Sequence, residues 1–203
     1  TGLLSRSLAA VGVTDVVAVE PDEAMRAVLS ARNPGARVLA GTAEDIPLPD
    51  ASVDAVLAAS AWHWFDPERA TAEIARVLRP GGVLGLLWSF ADPDVAWVAE
   101  LRRVGRADQQ GSAPFVQAGF AVELPHGAPF GPGTSRVFRR STWMAAQDVA
   151  AMLGTYSSVL TLPPEERAEV QERARDLIAR RVGTDPVLVP FATAVWRAVR
   201  GHG

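Results

Sequence analysis

Carboxylate side chains follow two short apolar runs of this 203-residue sequence, at points where a strand would end. Glu20 closes the run Asp15-Val16-Val17-Ala18-Val19, and Glu44 follows the run at residues 37–40. A carboxylate at a strand end can accept both hydrogen bonds of a ribose diol, which a single hydroxyl or amide group reproduces poorly. The position of Glu20 therefore predicts a ribose ligand. Taken alone, Glu20 fits equally well as a cap of the following helix.

A glycine near the start of the chain adds to this prediction. Gly2 stands directly before a helical pattern, where the absence of a side chain lets backbone approach a ligand at the helix N-terminus. Glu20 follows Gly2 by 18 residues, close to the roughly 20 residues expected between such a turn and its acidic partner.

A third apolar run is followed by Ser60-Ala61-Trp62-His63-Trp64, which places one imidazole between two indoles. Two interpretations of this segment stay open. His63 is either a group that acts on a second substrate or a hydrogen-bonded structural histidine. Trp62 and Trp64 are either pocket residues or packing residues under a lid.

Strand and helix patterns place these residues at one edge of a sheet. Strands are predicted at Asp15–Glu20, Arg37–Ala40, Val53–Ala59 and Val83–Trp88. Helices are predicted at Leu3–Val11, after a cap at Asp22, and after Asp66-Pro67 with a buried stripe at Ala70, Ile74, Val77 and Leu78. Arg79-Pro80-Gly81-Gly82 is expected to end that third helix. Strands that alternate with helices indicate a doubly wound α/β fold with a mostly parallel sheet and helices on both faces.

The pattern beyond Asp92 is less regular. Helices are predicted at Asp94–Val104, at Trp143–Leu153 and from Pro163-Pro164-Glu165 onward, and strands near Phe120–Leu124, at Ser135–Thr142 and at Val187–Val199. We expect a single domain, in which residues 1–90 bind a cofactor and residues 91–203 complete the sheet and form the substrate side. The pair Arg139-Arg140 forms either a clamp for a carboxylate or a solvated face.

Composition excludes several classes of function. The sequence has no cysteine, which excludes disulfides and thiolate zinc sites, and its three histidines, His63, His126 and His202, show no metal-ligand spacing. The net charge of −3 does not indicate a basic patch of the kind that binds nucleic acid. No apolar window is long enough for a membrane span and no signal peptide is visible, which favours the cytosol. Every basic residue is arginine, a usage typical of bacterial genomes of high GC content.

Several segments together resemble the class I S-adenosylmethionine-dependent methyltransferases. Thr1-Gly2-Leu3-Leu4 resembles the tail of a Gly-x-Gly-Thr-Gly turn. The run Glu44-Asp45-Ile46-Pro47-Leu48-Pro49-Asp50, followed by Asp54-Ala55-Val56 and by Leu78-Arg79-Pro80-Gly81-Gly82, is specific in combination. The resemblance covers roughly residues 1–90. Within the family, Ala61-Trp62-His63-Trp64-Phe65 is most similar to small-molecule members such as the trans-aconitate methyltransferases.

The resemblance implies S-adenosyl-L-methionine as cofactor and a role for each matching position. Gly2 would border the methionine part, Glu20 would hold the ribose hydroxyls, and Met25 would pack near the adenine. Ala43 and Glu44 would border the adenine edge, and Ser60 and Ala61 would line the methionine and the sulfonium. The cofactor positions are therefore Thr1, Gly2, Glu20, Pro21, Met25, Ala43, Glu44, Ser60 and Ala61, and the positions facing the acceptor are His63 and Trp64.

The implied activity is methyl transfer to a small-molecule acceptor, with nucleic acid and membrane excluded as partners. Two alternatives stay open, a nicotinamide-dependent oxidoreductase and a catalytically silent domain that binds a cofactor or a partner. An acidic ribose ligand is common to methyltransferases and dehydrogenases, but dehydrogenases do not require the Glu44-Asp45-Ile46-Pro47 loop. Tryptophan and phenylalanine in the second half suggest an apolar or aromatic acceptor.

The sequence departs from the family at its beginning. The first strand of the family and the first glycines of its turn would precede Thr1. That strand lies between the two strands predicted here at Asp15–Glu20 and Val53–Ala59, and unpaired buried backbone groups on both neighbours would be costly. We therefore expect the native protein to extend upstream by at least one strand and one helix, on the order of 20 residues or more.

Overall fold

The computed structural model describes residues 2–105, 122–183 and 185–202. The helices in these ranges are α1 (Leu3–Ala10), α2 (Glu23–Arg32), α3 (Pro67–Val77), α4 (Ala96–Val104), α5 (Ala146–Leu153), α6 (Ser157–Leu160) and α7 (Pro164–Arg181). The strands are β1 (Val16–Val19), β2 (Ala36–Leu39), β3 (Val53–Ala59), β4 (Leu78–Ala91), β5 (Thr134–Met144) and β6 (Val187–Val199). None of these helices is both long enough and apolar enough to cross a membrane. The strand predicted near Phe120–Leu124 falls partly outside the described residues.

The strands form two sheets of a mixed α/β fold, which confirms the predicted fold class. β1 and β2 pair in parallel, from Val16 opposite Ala36 to Val19 opposite Leu39. The second sheet has the order β3-β4-β6-β5. β6 runs antiparallel to β4, because the N–H groups of Gly81 and Asp92 donate to the carbonyls of Arg200 and Pro190, at opposite ends of β6. β1 and β3 are both edge strands among the described residues.

The described residues divide into two compact units. The first contains residues from 1–86, 123–134 and 197–203, and the second contains residues from 87–122 and 135–196. β4 and β6 each contribute residues to both units. The assignment of residues 1–90 to the cofactor and of residues 91–203 to the substrate side stays a prediction.

In the first unit, α3 buries the predicted stripe of Ala70, Ile74 and Val77, each at most 1% exposed. The predicted cap is also confirmed, because Asp66 Oδ1 accepts the N–H groups of Glu68 and Arg69, both at 3.1 Å. Pro67 follows as the first helical residue, where its missing N–H costs nothing. The start of α3 is therefore fixed by its own sequence.

The segment after α3 differs from the prediction. Arg79-Pro80-Gly81-Gly82 was expected to separate α3 from a strand beginning at Val83, but β4 begins at Leu78, directly after α3. The physical reason is a partner from the far end of the chain, since Gly81 N–H donates to Arg200 O and Arg200 N–H donates to Gly82 O. Gly81 has φ +79°, which a glycine adopts without strain.

The second unit has its own apolar core among α4, α5, α7 and β6. The stripe predicted for the charged helix α7 is confirmed, because Val170, Ala174, Leu177 and Ile178 are buried. The helix predicted from Trp143 was placed too early. α5 begins at Ala146, whose N–H donates to Asp185 Oδ1 at 3.1 Å, and Trp143 belongs to β5.

Arg76 of α3 binds the irregular loop that joins β2 to β3. Its guanidinium donates to Leu48 O at 2.9 Å, to Ile46 O at 2.9 Å and to Asp50 Oδ1 at 2.6 Å. It also pairs with Glu73 on the same helix at 2.7 Å, and Glu73 Oε1 accepts the N–H of Ile46 at 2.8 Å. The hydrogen bond from Arg76 lowers the pKa of Glu73 below its ordinary value, so this carboxylate stays ionised. We name residues 46–50 with Glu73 and Arg76 the loop clamp.

Removal of Arg76 is expected to destabilise the first unit. Arg76→Ala removes the hydrogen bonds to the carbonyls of Ile46 and Leu48, and hydrogen bonds to a charged group are the stronger kind. Arg79→Ala is the matched control, because within the described ranges the one ion pair of Arg79 is with the exposed Asp54, at 2.5 Å. Thermal unfolding should show a midpoint several degrees lower for Arg76→Ala and nearly unchanged for Arg79→Ala. Equal midpoints for the two variants would show that the clamp does not stabilise the fold.

Candidate functional site

Glu20 lies directly beyond β1 and is half-buried. Its N–H donates to Leu39 O of β2 at 3.1 Å, which continues the parallel pairing by one step. Its Oε1 accepts the N–H of Asp22 at 3.1 Å, and no described residue donates to its Oε2. One carboxylate oxygen of Glu20 is therefore available for a ligand.

The helix cap at this turn is Asp22 and not Glu20. Asp22 Oδ1 accepts the N–H of Met25 at 2.8 Å, and the Asp22 backbone is extended, as an N-cap residue requires. Arg26 fixes the same turn, because its guanidinium donates to the backbone carbonyls of Glu20 and Pro21. The carboxylate of Glu20 is thus held on a rigid turn without serving as the cap.

Two residues predicted to border the cofactor lie exposed on this turn. Pro21 is exposed, and Met25 on the first turn of α2 is 40% exposed. A large apolar side chain without a packing partner in the core is suited to contact a ligand. Their assignment to the cofactor stays a prediction.

The loop after β2 makes a tight turn with Ala43 and Glu44 at its tip. Thr42 and Asp45 close this turn by exchanging backbone hydrogen bonds of 3.2 and 3.4 Å. Gly41 precedes the turn, and a Cβ at this position would lie 2.7 Å from the Pro47 ring and 2.9 Å from Asp45 O. Only glycine fits here, so the backbone of this loop lies close to itself and to the end of β1.

Glu44 links the loop after β2 to the start of α3. Its Oε1 accepts the N–H of Asp66 at 2.9 Å, and its own N–H donates to Thr42 Oγ1 at 3.3 Å. Burial raises the pKa of Glu44, but the hydrogen bonds from Asp66, from its own backbone and from Thr42, together with the charge of Arg69, outweigh burial and lower the pKa. Glu44 is therefore ionised at neutral pH.

The segment after β3 exposes the rings of His63 and Trp64 to solvent and buries that of Trp62. Ser60 turns the chain with φ +51°, and Trp62–Trp64 form one 3₁₀ turn. Trp62 is 6% exposed and packs edge-on against Phe65 at 5.8 Å, whereas Trp64 is 73% exposed. Packing therefore accounts for Trp62 and does not account for Trp64.

His63 is exposed beside Trp64, with the two ring centres 4.8 Å apart. Partial burial of the imidazole lowers the pKa of His63 below its ordinary value. Because a lowered histidine pKa favours the uncharged form, His63 is neutral at neutral pH. A neutral imidazole can accept a proton or donate one hydrogen bond, and it does not attract an anion by charge.

The structure does not bring Gly2 next to Glu20. Gly2 is the N-cap residue of α1, with φ +77°. A Cβ at Gly2 would lie 2.0 Å from the side-chain amide nitrogen of Asn33. Asn33 ends α2, whereas Glu20 precedes its start, and a ten-residue helix is about 15 Å long. The roles of Gly2 and of Thr1, which lies outside the described residues, stay predictions.

In the second unit, Arg139 is occupied by carboxylates of this chain. It donates to Asp92 at 2.9 Å and to Asp94 at 2.5 Å, and Asp92 is only 4% exposed. These hydrogen bonds raise the pKa of Arg139, so its charge is permanent. Arg140 lies over the ring of Phe191 at 5.1 Å. Arg139 therefore pairs with aspartates of its own chain, whereas Arg140 stacks on an aromatic ring.

The loops after β1 and β2 fit a cofactor that carries a ribose. The Oε2 of Glu20, to which no described residue donates, suits a ribose hydroxyl. Among the described residues, no group of three or more acidic or histidine side chains is arranged to hold a metal ion. Fold and site together define a class of protein, an α/β domain with acidic residues after β1 and β2, an arrangement typical of proteins that bind a nucleoside-containing cofactor.

Comparison with known proteins identifies the family. A family model described as a methyltransferase domain matches residues 1–86. An uncharacterised methyltransferase of Mycobacterium tuberculosis is 38% identical over 201 residues, which are 98% of this chain and 79% of that protein. A solved structure from Anaeromyxobacter dehalogenans, assigned as a type II methyltransferase, is 28% identical with a TM-score of 0.69, and the match covers 95% of this chain and 84% of that chain. The chain belongs to the class I S-adenosylmethionine-dependent methyltransferases, and its cofactor is S-adenosyl-L-methionine.

A third relative matches a shorter stretch. The malonyl-[acyl-carrier protein] O-methyltransferase of Methylococcus capsulatus is 38% identical over 111 residues, which are 53% of this chain and 38% of that protein.

Two contributions to this site could not be predicted from the sequence, namely the loop clamp and the hydrogen bond from Asp66 to Glu44. The spacing of Glu73 and Arg76 is visible as an ordinary helical ion pair. Their partners at Ile46 and Leu48 lie 27 and 28 residues away and are backbone groups, which leave no trace in residue types.

Glu20→Ala is expected to weaken binding of S-adenosylhomocysteine by about tenfold or more, because it removes a charged acceptor of ribose hydrogen bonds. Glu23→Ala is the matched control, since Glu23 is an exposed acidic residue three positions later. Isothermal calorimetry measures both dissociation constants. Unchanged affinity in Glu20→Ala would exclude Glu20 as the ribose ligand.

Proposed function

We propose that this methyltransferase acts on a small-molecule acceptor that lies against His63 and Trp64. One observation carries the proposal. The 3₁₀ turn presents an exposed imidazole and an exposed indole, 4.8 Å apart, on the loop that follows β3. Within the same unit, the loops after β1 and β2 carry Glu20 and Glu44. An indole provides an apolar surface for an acceptor, and an imidazole provides its polar contact.

The chain's own residues bind and orient both substrates in this proposal. Glu20 holds the ribose, Met25 and Ala43 border the adenine, and Ser60 and Ala61 line the methionine part. S-adenosylmethionine supplies a methyl group already activated by its positive sulfur. Since the leaving group needs no further activation, the protein contributes mainly by holding the acceptor atom and the methyl group in line.

The role of His63 depends on whether the acceptor must lose a proton during methyl transfer. A phenol or an amine must lose a proton, which the neutral His63 can accept. A carboxylate is already ionised, and His63 then only positions it. The O-methyltransferase relative supports an oxygen atom as the acceptor, and the exposed Trp64 supports an apolar or aromatic body.

Calorimetry with S-adenosylmethionine, S-adenosylhomocysteine and NAD tests the cofactor step. We expect both S-adenosyl compounds to bind and NAD to give no heat of binding. Binding of NAD alone would favour an oxidoreductase, and binding of none of the three would favour a catalytically silent domain. Either result would overturn the proposed activity.

His63→Ala is expected to reduce turnover by about a hundredfold, within the range for loss of a general base, and to leave the affinity for S-adenosylhomocysteine nearly unchanged. His126→Ala removes another exposed histidine and is the control. Turnover is measured as S-adenosylhomocysteine released with a panel of carboxylic acids, phenols and amines. Loss of turnover and of affinity together would indicate a structural histidine.

The pH profile of the wild-type enzyme gives a second measurement. Catalysis by neutral His63 requires that turnover fall as the imidazole takes a proton. Because burial lowers the pKa of His63, this fall should be centred below the ordinary histidine value of about 6.5. Turnover that increases on acidification through this range would contradict a role as base.

A further inference from the structure

The turn that carries His63 is held from outside by one side chain. Trp64 N–H donates to Ala61 O at 2.9 Å and Phe65 N–H donates to Trp62 O at 3.1 Å, so these two hydrogen bonds stay within the turn. The next N–H, that of Asp66, donates to Glu44 Oε1 at 2.9 Å. The carboxylate of Glu44 thus closes the turn from another loop.

Burial fixes the position of Trp62, whereas His63 and Trp64 are exposed. After His63, the half-buried Phe65 packs edge-on against Trp62, and the side chain of Asp66 caps α3. The hydrogen bond from the Asp66 N–H to Glu44 adds a contact from another loop, three residues after His63.

Glu44 is itself held firmly. Gly41 and the Thr42–Asp45 bridge fix the backbone around it, and its N–H donates to Thr42. The loop clamp holds the residues that follow, through Ile46. A carboxylate on such a support can determine the position of the N–H that it accepts, because a charge-assisted hydrogen bond is short and directional.

We propose that Glu44 is a positioning residue for methyl transfer, whose carboxylate fixes the Asp66 N–H and thereby the orientation of His63 toward the acceptor. This inference rests on the proposed function, which gives His63 its place on the acceptor side. The hydrogen bond between Asp66 and Glu44 joins the loop assigned to the adenine edge with the turn assigned to the acceptor. Glu44 then acts through His63 and does not need to touch the acceptor.

The test is a titration of the three histidines by NMR in protein with isotope-labelled histidine, with His63 assigned from the His63→Ala spectrum. In Glu44→Ala, the loosened turn removes the partial burial that lowers the pKa of His63, and we expect this pKa to rise toward about 6.5. Loss of a nearby negative charge would alone shift this pKa downward, so the direction separates the two effects. His126 and His202 serve as internal references and should keep their values.

Three further variants make the test specific. Glu44→Gln retains an acceptor oxygen but loses the charge, so the pKa of His63 should not rise. Glu44→Asp keeps the charge but is one methylene shorter, so the pKa of His63 should rise as in Glu44→Ala even if the latter does not fold. Asp45→Ala removes a neighbouring exposed charge and should not raise the pKa of His63.

An unchanged His63 pKa in both Glu44→Ala and Glu44→Asp would overturn the proposal, as would an equal shift of all three histidines. Calorimetry with S-adenosylhomocysteine on the same samples separates this failure from failure of the proposed function. Absence of binding in the wild type would overturn the proposed function, whereas the histidine titration reports on the Glu44 contact in either case.

Discussion

The loop between β2 and β3 has little regular structure, so its backbone groups need hydrogen-bond partners other than those of a helix or sheet of their own. Side chains of helix α3 supply several of these partners. Glu73 accepts the N–H of Ile46, and Arg76 donates to the carbonyls of Ile46 and Leu48. The arrangement of the candidate site depends on this attachment, because the same loop carries Gly41 and Glu44 beside the end of β1.

Helix α3 can serve as this support because its other face is buried. Ile74 and Val77 are at most 1% exposed, and Asp66 caps the first turn. The polar face is then free to bind the loop, and the N-terminal end receives the Glu44 carboxylate. An amphipathic helix is thus anchored by its apolar stripe and organises a functional loop with its polar side.

Local features of this fold could be predicted from the sequence, and distant ones could not. Asp22 and Asp66 act as caps as predicted, and the apolar stripes of α3 and α7 are buried as predicted, because each depends on residues within a few positions. The predicted start of β4 was wrong, since its first residues pair with Arg200 from the other end of the chain.

For Glu20, the sequence indicated the position, and the structure added which carboxylate oxygen has no partner among the described residues. The spacing from Gly2 to Glu20 agreed with that expected between a glycine turn and its acidic partner, yet Gly2 lies against Asn33. Separation along the chain does not determine separation in space.

A side chain that acts on an acceptor must be exposed, and burial therefore cannot fix its position. In the turn at residues 62–66, some residues are exposed and their neighbours are held in a fixed position. Trp62 is buried and Asp66 is hydrogen-bonded, while His63 and Trp64 between them face solvent. The backbone strain at Ser60, with φ +51°, lies where the chain leaves β3 to form this turn, and such strain persists only where surrounding contacts hold it. In the proposed function, the contacts on either side of His63 are consequently as important as the imidazole itself, since an exposed group without them would be free to turn away from the acceptor.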